Sequence, residues 1–154
     1  MYAVLLTIHS LFRWLVLATL LYAVYRAYRG WIKKQTFTEF DNSVRHITAT
    51  VSHVQFLIGA GLYLVSPVVS YFFHNFTIAV HERHIRFFGM EHVTMMFIAV
   101  AVISIGSVKA KRNETSKAKF KTMAIWYTIG LFIIFLSIPW QFSPFTSRPY
   151  FRFF

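Results

Sequence analysis

Two histidines lie inside apolar stretches of this chain, His9 in MYAVLLTIHSLFRWLVLATLLYAVY and His92 in IRFFGMEHVTMMFIAVAVISIG. Ionisable side chains are costly in hydrocarbon and usually mark an ion, proton or cofactor site. Two imidazoles that face each other from different helices are the ligand set of a low-spin b-type haem, which needs one nitrogen on each face of the ring. The pair therefore predicts one haem b site. The alternative is that each histidine only forms hydrogen bonds within the protein.

One polar residue accompanies each of these histidines. Arg13 lies one helical turn after His9 and therefore on the same helix face, and Glu91, directly before His92, is the only acid in an apolar stretch. A buried guanidinium needs an anion or another strong acceptor. Two interpretations stay open: Arg13 balances a haem propionate or positions a quinone with Glu91 nearby, or Arg13 and Glu91 form an ion pair that joins their two helices.

Further candidate residues lie outside this pair. His53 and Gln55 occur in another apolar stretch, where they could form polar contacts between helices or part of a proton or quinone path. A second haem at that level lacks a histidine partner on the other helices, so one haem is expected. His81 and His84 are three residues apart, a spacing that could bind zinc or copper if their loop is helical. Clustered loop histidines also occur without a metal.

Composition indicates the elements that must position these side chains. The 154 residues are 56% hydrophobic and 19% aromatic, with a mean hydropathy of +0.52, which is too apolar for a soluble domain. The first stretch lacks the basic start and small-residue cleavage site of a signal peptide, so we expect it to be retained. We predict a single all-α membrane domain, an up-down four-helix bundle. Stretches long enough to cross a ~30 Å hydrocarbon layer cover residues 2–25, 46–72, 87–108 and 123–140.

The net charge of +11 reflects membrane topology better than nucleic-acid binding, which we do not expect, because the basic residues flank the apolar stretches. The first and third loops hold most of the basic residues. The loop between the second and third stretches and the carboxyl-terminal tail, on the other side of the membrane, carry only Arg83, Arg86, Arg148 and Arg152. By the positive-inside rule, both termini are then expected on the outer (periplasmic) side of the membrane. The first and third loops carry eleven basic residues: Arg26, Arg29, Lys33, Lys34, Arg45, Lys109, Lys111, Arg112, Lys117, Lys119 and Lys121.

This topology gives the two histidines a common depth. The first and third helices run in the same direction, and His9 and His92 lie at depths that differ by only about 3–5 Å at 1.5 Å per residue. Both imidazoles are therefore expected in the outer leaflet.

Several residue types limit the other possibilities. The chain has no cysteine, which excludes disulfides, thiolate metal sites and covalently attached haem. No nucleophile motif or glycine-rich phosphate loop points to hydrolase or nucleotide chemistry.

Gly59 and Gly61 are expected to allow close helix approach, and Pro67 to bend or end the second helix. The next loop is expected to include an interfacial helix, and the aromatic tail to lie along the membrane surface or contact a partner.

The segments IHSLFRW, QFLIGAGLYL, RFFGMEHVTMMFIAV, KAKR and IPW together resemble a family of small bacterial four-helix membrane proteins that are often labelled cytochrome b or cytochrome b-like. The resemblance spans nearly the whole chain. It implies a four-helix fold and haem b binding through His9 and His92, with Arg13 and Glu91 as neighbours. This chain has Ser104 where some members are expected to carry a further histidine, which counts against a second haem.

The sequence thus favours a membrane b-type cytochrome, or a haem-bearing subunit of a respiratory complex, that exchanges electrons with quinone. The alternative is a cofactor-free accessory subunit of a larger membrane assembly. A proton-coupled transporter is less favoured, because the chain lacks inverted repeats. The expected partners are the lipid bilayer and either other membrane subunits or a second copy of the chain.

Overall fold

The structure, a computed structural model, describes residues 1–140, and this part of the chain contains helices and no strand. Four of the helices, α1, α2, α5 and α6, are long and apolar enough to cross a membrane. The prediction of an all-α protein with four membrane-spanning helices is therefore confirmed. The helices are α1 (Tyr2–Ile32), α2 (Glu39–Leu64), α3 (Pro67–His74), α4 (Phe76–Ala79), α5 (Arg83–Arg112) and α6 (Ser116–Ser137).

The four long helices pack as a square bundle. Helix α1 contacts α2 and α6, and α5 contacts the same two helices, so α1 and α5 lie on one diagonal. The connections after α1 and α5 are short, which makes the helices that they join antiparallel. Helices α2 and α5 are antiparallel as well, because Tyr63 near the end of α2 contacts Gly89 near the start of α5, and Arg45 near the start of α2 contacts Ser107 near the end of α5. Helices α1 and α5 therefore run in the same direction. Side chains from these two helices meet across the centre of the bundle.

Helix α2 begins earlier than predicted, because a capping box defines its start. The Thr38 hydroxyl accepts from the Asp41 backbone N–H, and the Asp41 carboxylate accepts from the Thr38 N–H, which satisfies two backbone donors of the first turn. Helix α2 therefore starts at Glu39 and not at the predicted residue 46. Arg45, counted above among the loop charges, is instead buried within α2.

Pro67 ends the second spanning helix, as predicted. Helix α2 stops at Leu64, and Ser66 caps the next helix, with Pro67 in its first turn, where its missing N–H costs nothing. Residues 67–72, expected within the second helix, belong to α3 instead. The other spanning helices are also longer or shifted: α1 continues to Ile32 and α6 covers Ser116–Ser137.

Helix α5 contains a wide π turn over Phe87–Glu91, directly before His92. The Tyr63 hydroxyl of α2 donates to the Gly89 carbonyl in this turn at 2.6 Å. Gly89 also lies against Phe72 of α3, where an added Cβ would overlap the ring. Since π turns often occur at functional sites, this turn marks His92, which follows it, as a candidate functional residue.

Polar side chains hold α2 in the bundle. The Arg45 guanidinium donates to Ser107 O at 3.3 Å, and the Tyr127 hydroxyl donates to Arg45 O at 2.7 Å. Because buried polar groups need hydrogen-bond partners, these bonds fix α2 against α5 and α6. The buried residues of α2 are Asp41, Arg45, Thr48, Ala49 and Ser52.

Candidate cofactor site

His9 of α1 and His92 of α5 meet across the diagonal of the bundle. Their ring centres are 6.4 Å apart, and the ring planes are nearly perpendicular, at 79°. The expectation that the two imidazoles share one depth is confirmed. They come together because α1 and α5 run in the same direction on opposite sides of the central space.

The position of the proton on His92 follows from its hydrogen bond. Nδ1 lies 2.9 Å from the backbone carbonyl oxygen of Ser137, at the end of α6. A carbonyl oxygen only accepts, so Nδ1 must carry a proton. In the neutral ring the lone pair then resides on Nε2. Metal-binding histidines commonly have this arrangement, in which the second nitrogen donates to a backbone carbonyl.

Helix α2 fits closely around His9. The Gln55 amide nitrogen donates to the His9 backbone carbonyl at 2.9 Å. One turn later, a Cβ atom on Gly59 would lie 3.0 Å from His9 Cε1, whereas Gly61 faces open space. The predicted close approach therefore applies to Gly59, and what it accommodates is an imidazole ring.

A cavity of about 160 Å³ adjoins the two imidazoles and is partly open to the outside of the bundle. It has room for on the order of ten water molecules. Apolar side chains from α1, α2, α3 and α5 form most of its wall. Such a mainly apolar cavity with a few converging polar groups is typical of ligand sites. The polar residues that line it are Tyr2, His9, Ser10, Arg13, Ser52, Gln55, Tyr63, Ser66 and His92.

Arg13 lines the cavity, but Glu91 does not. The Arg13 guanidinium donates to Ser10 Oγ at 3.3 Å. Glu91 accepts from Arg86 Nε at 2.6 Å, across the π turn that separates these two residues. The interpretation in which Arg13 and Glu91 form an ion pair is therefore wrong, because the partner of Glu91 is Arg86 of its own helix.

His53 and Gln55 have different surroundings despite their proximity in sequence. Gln55 lines the cavity, whereas His53 lies on the outward side of α2 with Nε2 2.8 Å from Ser104 Oγ of α5. The predicted polar contact between helices is confirmed for His53. Its partner is the serine that occupies the position where the resemblance suggested a further histidine.

The two outer-loop histidines whose spacing could suit zinc or copper do not form a metal site within residues 1–140. His81 lies in the turn between α4 and α5, and the ring of His84 packs on Phe88, with centres 5.1 Å apart. Within residues 1–140, no three histidine, aspartate or glutamate side chains are grouped to hold a metal ion. The aromatic tail lies outside the described residues.

Three contacts in the site could not be predicted from the sequence. The Ser137 carbonyl that orients His92 is a backbone group, which any residue supplies. The contact of Gly59 with His9 and the bond from Tyr63 to Gly89 depend on how α2 packs against its neighbours. A lone glycine in a membrane helix indicates close packing without naming what approaches it.

No known protein family, curated protein or solved structure matches this chain. The resemblance to cytochrome b-like proteins therefore stays a prediction.

Proposed function

We propose that this protein is a membrane b-type cytochrome, or the haem-bearing subunit of a respiratory complex, in which His9 and His92 hold one haem b and exchange electrons with a quinone through it. The separation of 6.4 Å between the two ring centres carries the proposal. Two imidazoles bound to one metal ion, each nitrogen about 2 Å from it, have ring centres roughly 6 Å apart. The donor set therefore fits a six-coordinate haem iron.

The state of each imidazole also suits this role. The carbonyl of Ser137 leaves the lone pair of His92 on Nε2, the nitrogen that would bind iron. Gly59 leaves just enough room for the His9 ring beside α2. Both side chains come from helices rather than loops, and this limits their movement and pre-forms the site.

A haem is larger than the cavity as it stands, so the proposal requires the wall to move apart on binding. Phe56 of α2 and Met96 and Val100 of α5 line the cavity, and the interface between α2 and α5 is the least extensive of the four in the bundle. Methionine adapts readily to flat aromatic surfaces. This side of the bundle is the one most able to admit a large planar group.

When bound, haem b supplies one-electron transfer. The residues of this chain then have separate tasks. His9 and His92 fix the orientation of the group, and the apolar wall excludes water, which influences its reduction potential. Arg13 offers a positive charge inside the cavity that would balance a propionate or bind a quinone carbonyl.

The proposed setting is the outer leaflet of a bacterial inner membrane, with the amino terminus in the periplasm. The charge distribution supports this orientation. The described residues at the His92 end include two basic and two acidic side chains, whereas the opposite end is strongly basic, as expected of the cytoplasmic side. The residues at the His92 end are Arg83, Arg86, Glu82 and Glu91.

The proposal is tested by a reduced-minus-oxidised absorbance spectrum of protein purified from cells supplied with haem precursors. We expect a b-type band that His9→Ala and His92→Ala each abolish. His53→Ala is the matched control, because it removes another membrane histidine that lies outside the cavity. A folded but colourless wild-type protein, or an undiminished band in both cavity variants, would exclude haem ligation by this pair.

A second candidate function, an accessory subunit without a cofactor, is favoured by the outer face of α2. Helix α2 is the least covered of the four spanning helices, with 17% of its apolar window buried, and Thr50 and His53 are exposed on it. Polar side chains at membrane depth usually face protein. This face therefore suits contact with another membrane subunit or a second copy of the chain.

The accessory function predicts a colourless protein that copurifies with other membrane subunits in mild detergent. Mass determination in detergent, combined with the absorbance spectrum, separates the two candidates. A stable, coloured monomer would rule out the accessory function.

A further inference from the structure

Two buried polar atoms beside the cavity have no hydrogen-bond partner among residues 1–140: His9 Nδ1 and Gln55 Oε1. Both residues line the cavity. A buried polar atom without a partner is destabilising by a few kcal/mol, and such atoms are rare in folded proteins. Two of them on facing helices call for a shared partner.

The orientation of the Gln55 amide is fixed by its contact with His9. The amide nitrogen lies 2.9 Å from the His9 backbone carbonyl oxygen. Because that oxygen can only accept, the nitrogen and not the oxygen of the amide must face it. Oε1 therefore lies at the opposite end of the amide group, where it can act only as an acceptor.

The His9 ring presents Nδ1 to the same helix. A Cβ on Gly59, one turn after Gln55, would lie 3.0 Å from His9 Cε1 and 3.4 Å from Nδ1. The ring edge that carries Nδ1 thus lies against α2. With the proton on Nδ1, the two atoms are a donor and an acceptor that do not reach each other directly.

We propose that one buried water molecule bridges His9 Nδ1 and Gln55 Oε1, and that Gln55 is a positioning residue that keeps the proton of His9 on Nδ1. The water accepts from Nδ1–H and donates to Oε1. Ser52, one turn before Gln55, also lines the cavity and donates its own hydroxyl proton to Thr48 O at 2.9 Å. Its free lone pairs offer the water a further acceptor, which gives it the two to four polar partners that buried water usually has.

This arrangement gives the two imidazoles the same tautomer by different means. A backbone carbonyl, that of Ser137, accepts from Nδ1 of His92, and a water held by Gln55 accepts from Nδ1 of His9. Both rings then keep the lone pair on Nε2. The inference deepens the proposed function, and its meaning for iron binding rests on that function, but the hydrogen bond itself does not require haem.

The test is nitrogen NMR of haem-free protein with ¹⁵N-labelled histidine, reconstituted in lipid nanodiscs. For the wild type we expect a single neutral tautomer of His9 with a protonated Nδ1, and a cross-peak between that proton and water. Gln55→Met, which preserves the size of the side chain, should abolish the water cross-peak and divide the His9 signal between two tautomers. Gln55→Glu keeps an acceptor oxygen and should retain the cross-peak.

Ser104→Ala is the matched control. It removes a hydroxyl from another histidine of the same bundle, His53, and should change the His53 signal while leaving His9 as it is. A wild-type protein without the water cross-peak, or a Gln55→Met protein with an unchanged His9 signal, would overturn the inference. If Gln55→Met does not fold, the wild type and Gln55→Glu still decide the point.

The outcomes separate this inference from the proposed function. If the protein is colourless but His9 shows the water cross-peak, the inference about the water is supported and the cytochrome function is excluded. If the protein binds haem but Gln55→Met leaves the His9 tautomer unchanged, the cytochrome function is supported and the inference about the water is overturned. In haem-loaded protein, loss of the bond should also make the reduction potential more positive, because a histidine that donates through its second nitrogen is a more basic ligand.

Discussion

Gly59 of α2 faces the imidazole of His9 so closely that a Cβ atom on it would lie 3.0 Å from His9 Cε1. The lack of a side chain at Gly59 of α2 therefore allows the His9 ring of α1 to occupy its position. The glycine does not serve a turn, since it lies within regular helix. It leaves the space in which the ring stands.

We expect Gly59→Ala to reduce haem retention because its methyl group must displace the His9 ring from the position opposite His92. A displacement of a few tenths of an ångström should weaken binding roughly tenfold, equivalent to about 1.4 kcal/mol. Gly61→Ala is the control, since nothing lies within 4 Å of the added Cβ. Haem-to-protein ratios after purification measure the effect, and equal ratios in the two variants would contradict it.

Arg13→Gln should weaken haem binding and lower the reduction potential. The substitution removes a positive charge that lines the cavity, and a charged hydrogen bond contributes about 1.5–3 kcal/mol. Haem titration should therefore show a loss of roughly ten- to a hundredfold. Arg13→Lys keeps the charge and should retain most of the affinity. A full affinity and unchanged potential in Arg13→Gln would show that the guanidinium does not face the bound group.

Asp41→Asn should destabilise the protein far more than Glu91→Gln. Asp41 is 1% exposed, accepts from the Thr38 N–H in the capping box of α2 and pairs with Arg26, which is 19% exposed. Neutralising Asp41 breaks this largely buried ion pair, and removing one partner of such a pair costs about 3 kcal/mol or more. The Arg86–Glu91 pair is 35% and 29% exposed, and such pairs contribute about 0–1 kcal/mol.

Thermal unfolding in detergent, followed by the retention of soluble protein, compares these two acid variants. The haem spectrum of Glu91→Gln tests the corrected pairing of Glu91. If Glu91 supported Arg13 in the cavity, Glu91→Gln would change the haem spectrum, and we expect it to leave the spectrum unaltered.

Tyr63→Phe should disturb the site through the π turn that precedes His92. Removing the hydroxyl leaves the Gly89 carbonyl of the π turn without its 2.6 Å bond, which costs about 1 kcal/mol. Because His92 follows that turn directly, its ring should become more mobile. A broader His92 NMR signal with a modest loss of stability is the expected result. Phe73→Leu, which removes a ring packed on Tyr63, is the control that leaves the hydrogen bond in place.

Much of this fold was predictable because a membrane imposes a length and a polarity on each helix. The number of spans and the end of α2 shortly before Pro67 follow directly from the order of apolar and helix-breaking residues. The start of α2 was harder to predict, because Thr38 and Asp41 had first to be read as a capping box.

The sequence by itself determined that the protein spans a membrane four times and that His9 and His92 lie at one depth, because residue count fixes position along a helix. It did not determine which polar groups meet. The tertiary structure decided that Glu91 pairs with Arg86, that His53 contacts Ser104 and that Gln55 and Gly59 enclose His9. Those contacts depend on the rotation of each helix about its axis and on one π turn, which arise only when the four helices pack together.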